Sequence, residues 1–199
     1  MKGRPTGEGI LPPGASCLYP ELVVREALDR MADALTTEFA GSRPLVLIVL
    51  AGGLYVGAAL TQRLPFAIDV DFVRVSRYGA GMEPGKLVWQ LMPRLSLAGR
   101  SVLFLDDVWD EGVTLRGLCE WAAGQGAVRV RSAVLVYKEP PDRPEAGRST
   151  AGPDHFGLRA GRAWIVGWGM DQAGLGRNLP AIYVLPGEEE PDPGVTTGP

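Results

Sequence analysis

Two runs of this chain are apolar almost without interruption, PLVLIVL at Pro44–Leu50 and SVLFL at Ser101–Leu105, and they constrain its architecture more than any other feature. A strand with one wet face alternates apolar and polar side chains. An unbroken run needs apolar cover on both faces, as in a parallel sheet with helices on each side. Helical patterns are available to supply that cover. Pro20–Phe39 carries Val24, Leu28, Met31 and Leu35 at helical spacing, Leu54–Gln62 reads as a short apolar helix after Gly52-Gly53, and Val113–Ala123 reads as a third. Further strands are read at Ile68–Ser76, Lys86–Met92 and Val128–Tyr137, with short extended pieces at Ala163–Val166 and Ala181–Leu185. Pro140–Gly152 reads as loop. The order predicts an α/β fold, a mostly parallel twisted sheet flanked by helices, with ligands bound at the carboxyl ends of the strands.

The chain has 199 residues, 46% of them hydrophobic, enough for one domain spanning 1–199 with a sizeable core. The Gly- and Pro-rich residues 1–15 and the acidic residues 187–199 have little to bury and are expected to be flexible tails. A formal net charge of −3 gives no sign of a nucleic-acid or membrane surface. No apolar run approaches the roughly 18–20 residues that span a bilayer. The opening MKGRPTGEGILPPG lacks the apolar stretch of a secretory signal, so a cytoplasmic protein is expected. Cys17, Cys119 and the single histidine, His155, share no zinc-ligand spacing, and the thiols are expected to be unpaired.

The chemistry concentrates in VLFLDDVWDEGVTL, Val102–Leu115. A strand ending at Leu105 is expected to run at once into an acidic, Gly-containing turn that opens a helix. Asp106 and Asp107 can receive a pair of hydroxyls or hold a hydrated Mg²⁺ through hard oxygen ligands. A glycine-bearing turn at a helix N-terminus presents backbone N–H groups and the positive end of the helix dipole, which suits a phosphate. Thr114 adds a hydroxyl. Any one of these acids could be a solvated cap; three of them between a fully apolar strand and a glycine turn point to function.

This segment resembles the phosphoribosyl-pyrophosphate signature of type I phosphoribosyltransferases, and the remaining landmarks resemble hypoxanthine-guanine phosphoribosyltransferases, from about Leu22 to Leu185. The resemblance implies a sheet topped by a small hood. It implies that Asp106 and Asp107 hold the ribose hydroxyls and organise Mg²⁺, and that Asp110, Glu111, Gly112, Val113 and Thr114 cradle the 5-phosphate. Asp110 would also act near N7 of the purine as general base or proton acceptor. Glu111 departs from the more usual threonine.

VLAGGLY at Val49–Tyr55 resembles the pyrophosphate loop, with Ala51 and Gly52 at the ligand and Ala51 where many relatives carry lysine. The family's peptide bond here can be cis without proline, and sequence leaves the Leu50–Ala51 bond open. SRYGAGMEPG at Ser76–Gly85 resembles the mobile catalytic loop, with Arg77 and Tyr78 on the diphosphate. Lys138, one of three lysines, would donate to O6 of a 6-oxopurine. In WIVGWGMDQAGLGRNL, Trp164–Leu179, Trp164 would stack on the purine and the Ile165 backbone would read its edge. Asp171 would assist at the base and a second Mg²⁺, and Arg177 would clamp the pyrophosphate. His155, in PDHFG, which reads as loop, matches no landmark and reads as structural or surface.

The implied activity is transfer of the phosphoribosyl group from phosphoribosyl pyrophosphate to hypoxanthine or guanine in purine salvage. The implied assembly is a homodimer or homotetramer. A non-catalytic sensor of the sugar diphosphate and a xanthine-preferring transferase are the alternatives.

Overall fold

A computed structural model describes residues 10–76, 87–138 and 152–187. The chain begins with a short strand, β1 (Ser16–Tyr19), and then forms α1 (Glu21–Phe39). Val24, Ala27, Leu28, Met31, Ala32, Leu35 and Phe39 recur at three- and four-residue intervals and are all buried. Each large apolar side chain so buried is worth roughly 1.5–3 kcal/mol against exposure.

β2 (Leu45–Val49) is buried at every position. It is followed by α2 (Gly53–Thr61), β3 (Asp69–Ser76), β4 (Val88–Leu91), β5 (Ser101–Trp109), α3 (Val113–Gly124), β6 (Arg129–Lys138) and β7 (His155–Ala160). These strands form one sheet in the order β4-β3-β2-β5-β6-β7. All neighbours in it are parallel except β3 and β4. β8 (Ile165–Val166) and β9 (Ile182–Val184) pair antiparallel and join β1 in a separate three-stranded sheet, β1-β9-β8, the hood.

The pleat explains the unbroken apolar runs. Val46 and Ile48 face α1 and α2, while Leu45, Leu47 and Val49 face the α3 side. From β2 the chain passes through α2 to β3 on one side, and from β5 through α3 to β6 on the other. The connections therefore diverge between β2 and β5. That divergence opens a crevice at the carboxyl ends of these two strands.

Two expectations need correction. β5 does not end at Leu105 but runs on through Asp106 and Asp107 to Trp109, because β6 continues to pair with it as far as Trp109↔Tyr137. Its pairing with β2 stops at Ile48↔Leu105, so the acidic half of β5 has a strand on one side only. His155 lies in β7 and not in a loop, half-buried and bonded through Nε2 to Glu38. Cys17 and Cys119 are free thiols, and burial pushes that of Cys119 up to about 12. No helix among the described residues is long and apolar enough to cross a membrane.

Candidate active site

The crevice opens where β2 hands over to α2. The Leu50–Ala51 peptide is cis, and the Leu50 N–H donates to the carbonyl of Val73 at 2.8 Å. Gly52 has no room for a side chain, since a Cβ there would stand 2.0 Å from Asp107 Oδ2. Gly169 in the hood presses on the same point; its Cβ would lie 2.0 Å from the Gly52 carbonyl oxygen. Ala51 is exposed and brings no charge.

The acids stand opposite. Asp106 Oδ1 accepts the Asp107 N–H at 2.9 Å, and Asp107 Oδ1 accepts the Val108 N–H at 2.8 Å. Asp107 is only 8% exposed. Burial raises both carboxyls, and the charge of Asp107 raises Asp106 further, well above the usual carboxylate value. Two crowded acids of this kind favour a proton, hydroxyls or a cation between them.

Asp110 is exposed and makes no hydrogen bond among the described residues. The turn after it folds as it does because Gly112 sits at φ 70°, and because the Trp109 ring lies where a Cβ would be, 2.2 Å from it. Any other residue at 112 would collide with the indole. Among the described residues, none of the N–H groups of Gly112, Val113 and Thr114 donates a hydrogen bond. These are the orphan donors of the α3 N-terminus. They ring a hollow of about 220 Å³ lined continuously from Asp106 to Leu115, Glu111 included.

The far wall comes from β6 and the hood. Lys138, the last residue of β6, is 9% exposed, and its ammonium has no hydrogen bond or ion pair among the described residues. It stands 6.0 Å from the ring centroid of Trp164, which is 51% exposed. The Trp164 indole Nε1–H donates to the Asp171 carbonyl at 3.1 Å. Asp171 Oδ1 pairs with Arg177 Nη2 at 2.5 Å, its Oδ2 accepts the Gly174 N–H at 2.6 Å, and Arg177 Nη1 donates to the Gly169 carbonyl at 2.6 Å.

One cleft of about 410 Å³ brings together Ala51, Gly52, Asp106, Asp107, Asp110 and Thr114 with Lys138, Trp164, Ile165, Asp171 and Arg177. Glu111, Gly112 and Val113 line the adjoining hollow. Arg77 and Tyr78, with most of Ser76–Gly85, lie outside the described residues. Sequence reasoning missed Trp109 as the floor of the phosphate-type turn and Gly169 as the contact between hood and loop. The bulky aromatic three residues before Gly112 was the one available signal; for Gly169 there was none beyond its being glycine.

The chain belongs to the phosphoribosyl transferase domain family, whose model matches residues 21–157. It is similar to the hypoxanthine-guanine phosphoribosyltransferase of Lactococcus lactis subsp. lactis (strain IL1403), 31% identical over 169 residues that make up 84% of this chain and 89% of that one. The enzyme of the same name from Bacillus subtilis (strain 168) is 30% identical over 169 residues, 84% of this chain and 91% of that one. The crystal structure of a hypoxanthine-guanine phosphoribosyltransferase from Bacillus anthracis superposes with a TM-score of 0.75 at 25% identity, covering 85% of this chain and 96% of that one.

Proposed function

We propose that this chain is an enzyme that transfers the 5-phosphoribosyl group of phosphoribosyl pyrophosphate to N9 of hypoxanthine or guanine, giving inosine or guanosine 5-monophosphate and pyrophosphate in purine salvage. The observation that carries this reading is the buried ammonium of Lys138, without a hydrogen bond or ion pair among the described residues, facing the exposed ring of Trp164. A flat heterocycle with a carbonyl acceptor at its edge satisfies both at once, and an exocyclic amine would leave the ammonium unpaired.

The roles follow from position. The donors of Gly112, Val113 and Thr114 take the 5-phosphate. Asp106 and Asp107 take the ribose hydroxyls. Asp110 accepts a proton from the purine ring as N9 bonds to the anomeric carbon and the bond to pyrophosphate breaks. Arg177 and the Gly52 backbone hold the departing diphosphate.

No group of three or more metal-ligating side chains occurs among the described residues. The crowded pair Asp106 and Asp107 nevertheless suits Mg²⁺, which keeps most of its ligands as water and substrate oxygens. When bound, the cation supplies neutralisation of the leaving diphosphate; Asp171 would help hold a second Mg²⁺. A cytoplasmic setting and a homodimer or homotetramer belong to the same proposal and rest on the resemblance.

A non-catalytic sensor is disfavoured because Asp110 and Lys138, which a sugar-diphosphate reader would not need, both line the cleft. The test is nucleotide formation from phosphoribosyl pyrophosphate with hypoxanthine, guanine, xanthine or adenine, with and without Mg²⁺, beside Asp110→Asn. Mg²⁺-dependent product from hypoxanthine or guanine is expected. Binding of the sugar diphosphate without turnover on any base would replace the enzyme reading with the sensor.

A further inference from the structure

Asp171 is bonded in two directions at once. Its carbonyl holds the indole N–H of Trp164, and its carboxylate holds Arg177 and the Gly174 N–H. Arg177 is itself anchored to the Gly169 carbonyl, which belongs to the glycine lying against Gly52. The segment between is wound tightly: Gly167, Trp168, Gly169, Ala173, Gly174 and Gly176 all have positive φ, and isolated bridges join Gly167 to Met170 and Gln172 to Leu175. Side chain, main chain and side chain thus form one hydrogen-bonded relay, Trp164–Asp171–Arg177, across the hood.

We propose that this relay makes Arg177 a positioning residue for the purine as well as a clamp for the diphosphate. The inference rests on the transferase reading above. An exposed aromatic ring samples several orientations, and a ligand that stacks on it must first immobilise it. The Nε1–H bond to the Asp171 carbonyl fixes the indole beforehand, facing Lys138. Asp171 serves as that fixed point while its own carboxylate is tethered, by the Gly174 N–H within its own turn and by Arg177, the one side chain among the two. A phenylalanine at 164 offers the same kind of apolar face but has no N–H, so it would take no orientation from Asp171. The coupling is therefore specific to tryptophan at this position.

The test is calorimetric binding of inosine 5-monophosphate to the full chain, with ribose 5-phosphate as a base-free control. Four proteins are compared: unaltered, Arg177→Met, Trp164→Phe and the double variant. Loss of one orienting hydrogen bond, about 0.5–1.5 kcal/mol, corresponds to roughly 2- to 12-fold in affinity. Arg177→Met is expected to weaken the nucleotide by that factor in the Trp164 protein and by less than about twofold in the Trp164→Phe background. Ribose 5-phosphate binding should stay level throughout. If Arg177→Met cannot be obtained folded, Arg177→Lys, which loses the fork that spans Asp171 and Gly169, replaces it with the same expectation. Equal effects of Arg177→Met in both backgrounds would show that no relay exists while leaving base binding intact. An unaltered chain that binds ribose 5-phosphate but gains nothing from the base would overturn the purine reading itself, and the relay with it.

Discussion

The two ends of the sheet carry the same kinds of charged side chain and use them oppositely. At the amino ends each described cluster is matched. Glu38 at the end of α1 receives Arg129, Arg131 and His155 from the starts of β6 and β7. Asp69 at the start of β3 receives Arg43 at 2.6 Å and Arg100 at 2.5 Å, and Asp154 accepts both the N–H and the hydroxyl of Ser132. At the carboxyl ends only Asp171 and Arg177 are matched; Asp106 crowds Asp107, and among the described residues Asp110 and Lys138 have no ion-pair partner. Matched charges hold a fold together, whereas unmatched ones are held in waiting for a ligand that completes them.

That contrast can be broken most severely at Asp110. Asp110→Asn should lower turnover by about 10²–10⁴-fold, while thermal unfolding stays within about ±0.5 kcal/mol because the carboxylate is exposed and bonds to none of the described residues. Glu38→Gln should do the reverse. Its loss leaves Arg129, Arg131 and His155 short of their acceptor and should cost about 1–3 kcal/mol in urea unfolding, with steady-state kinetics unchanged. A protein that lost activity with Glu38 but kept its stability would contradict the division between the two ends.

Asp107→Asn should raise the melting temperature, by about 2–4 °C if relief of the crowded pair is worth about 1 kcal/mol, and abolish Mg²⁺-dependent turnover. The smallest effect concerns pH and has opposite signs at the two ends. Burial works to raise the Glu38 carboxyl, but hydrogen bonds from His155 and Arg131 and the charges of His155 and Arg129 hold it below its ordinary 4.5. Its stabilisation is full above that value and is lost as pH falls through the lower, folded value. Asp106 is raised from its ordinary 3.8, so its contribution is full below 3.8 and is lost as pH rises through the folded value. Urea midpoints across the acid range should therefore show a shallower acid limb in Glu38→Gln, where Asp69 and Asp71 remain lowered, and a shallower decline towards neutrality in Asp107→Asn, where burial still raises Asp106.

The sequence made the carboxyl end far more legible than the amino end, for a physical reason. Asp106 to Thr114 are contiguous, so a single local pattern of apolar strand, acids and glycine turn reveals them. The partners of Glu38 are 91 to 117 residues away, and nothing local links them. β7 was missed because its six residues, HFGLRA, include a glycine in mid-strand and two basic side chains. Gly157 is there because a Cβ would come within 2.9 Å of Met31 Sδ, a tertiary reason. β1 follows directly on residues 1–15, expected to be a flexible tail, and carried no reading of its own; Leu11 and Ala15 of that stretch pack on the hood with Val166, Leu179 and Leu185. The end of β5 was misplaced because carboxylates are poor strand formers, and only the pairing with β6 carries the chain through them.

The contact between Gly52 and Gly169 has a consequence for how such a protein can change over generations. Two stretches of chain more than a hundred residues apart meet there backbone to backbone, with no side chain to trim or rotate. Neither position has room for a side chain, because a methyl group at 169 meets the main-chain carbonyl of 52 and a methyl group at 52 meets Asp107. No replacement at 52 removes the carbonyl that excludes a side chain at 169, so a lineage could fill position 169 only by moving the backbone of the hood or of the loop.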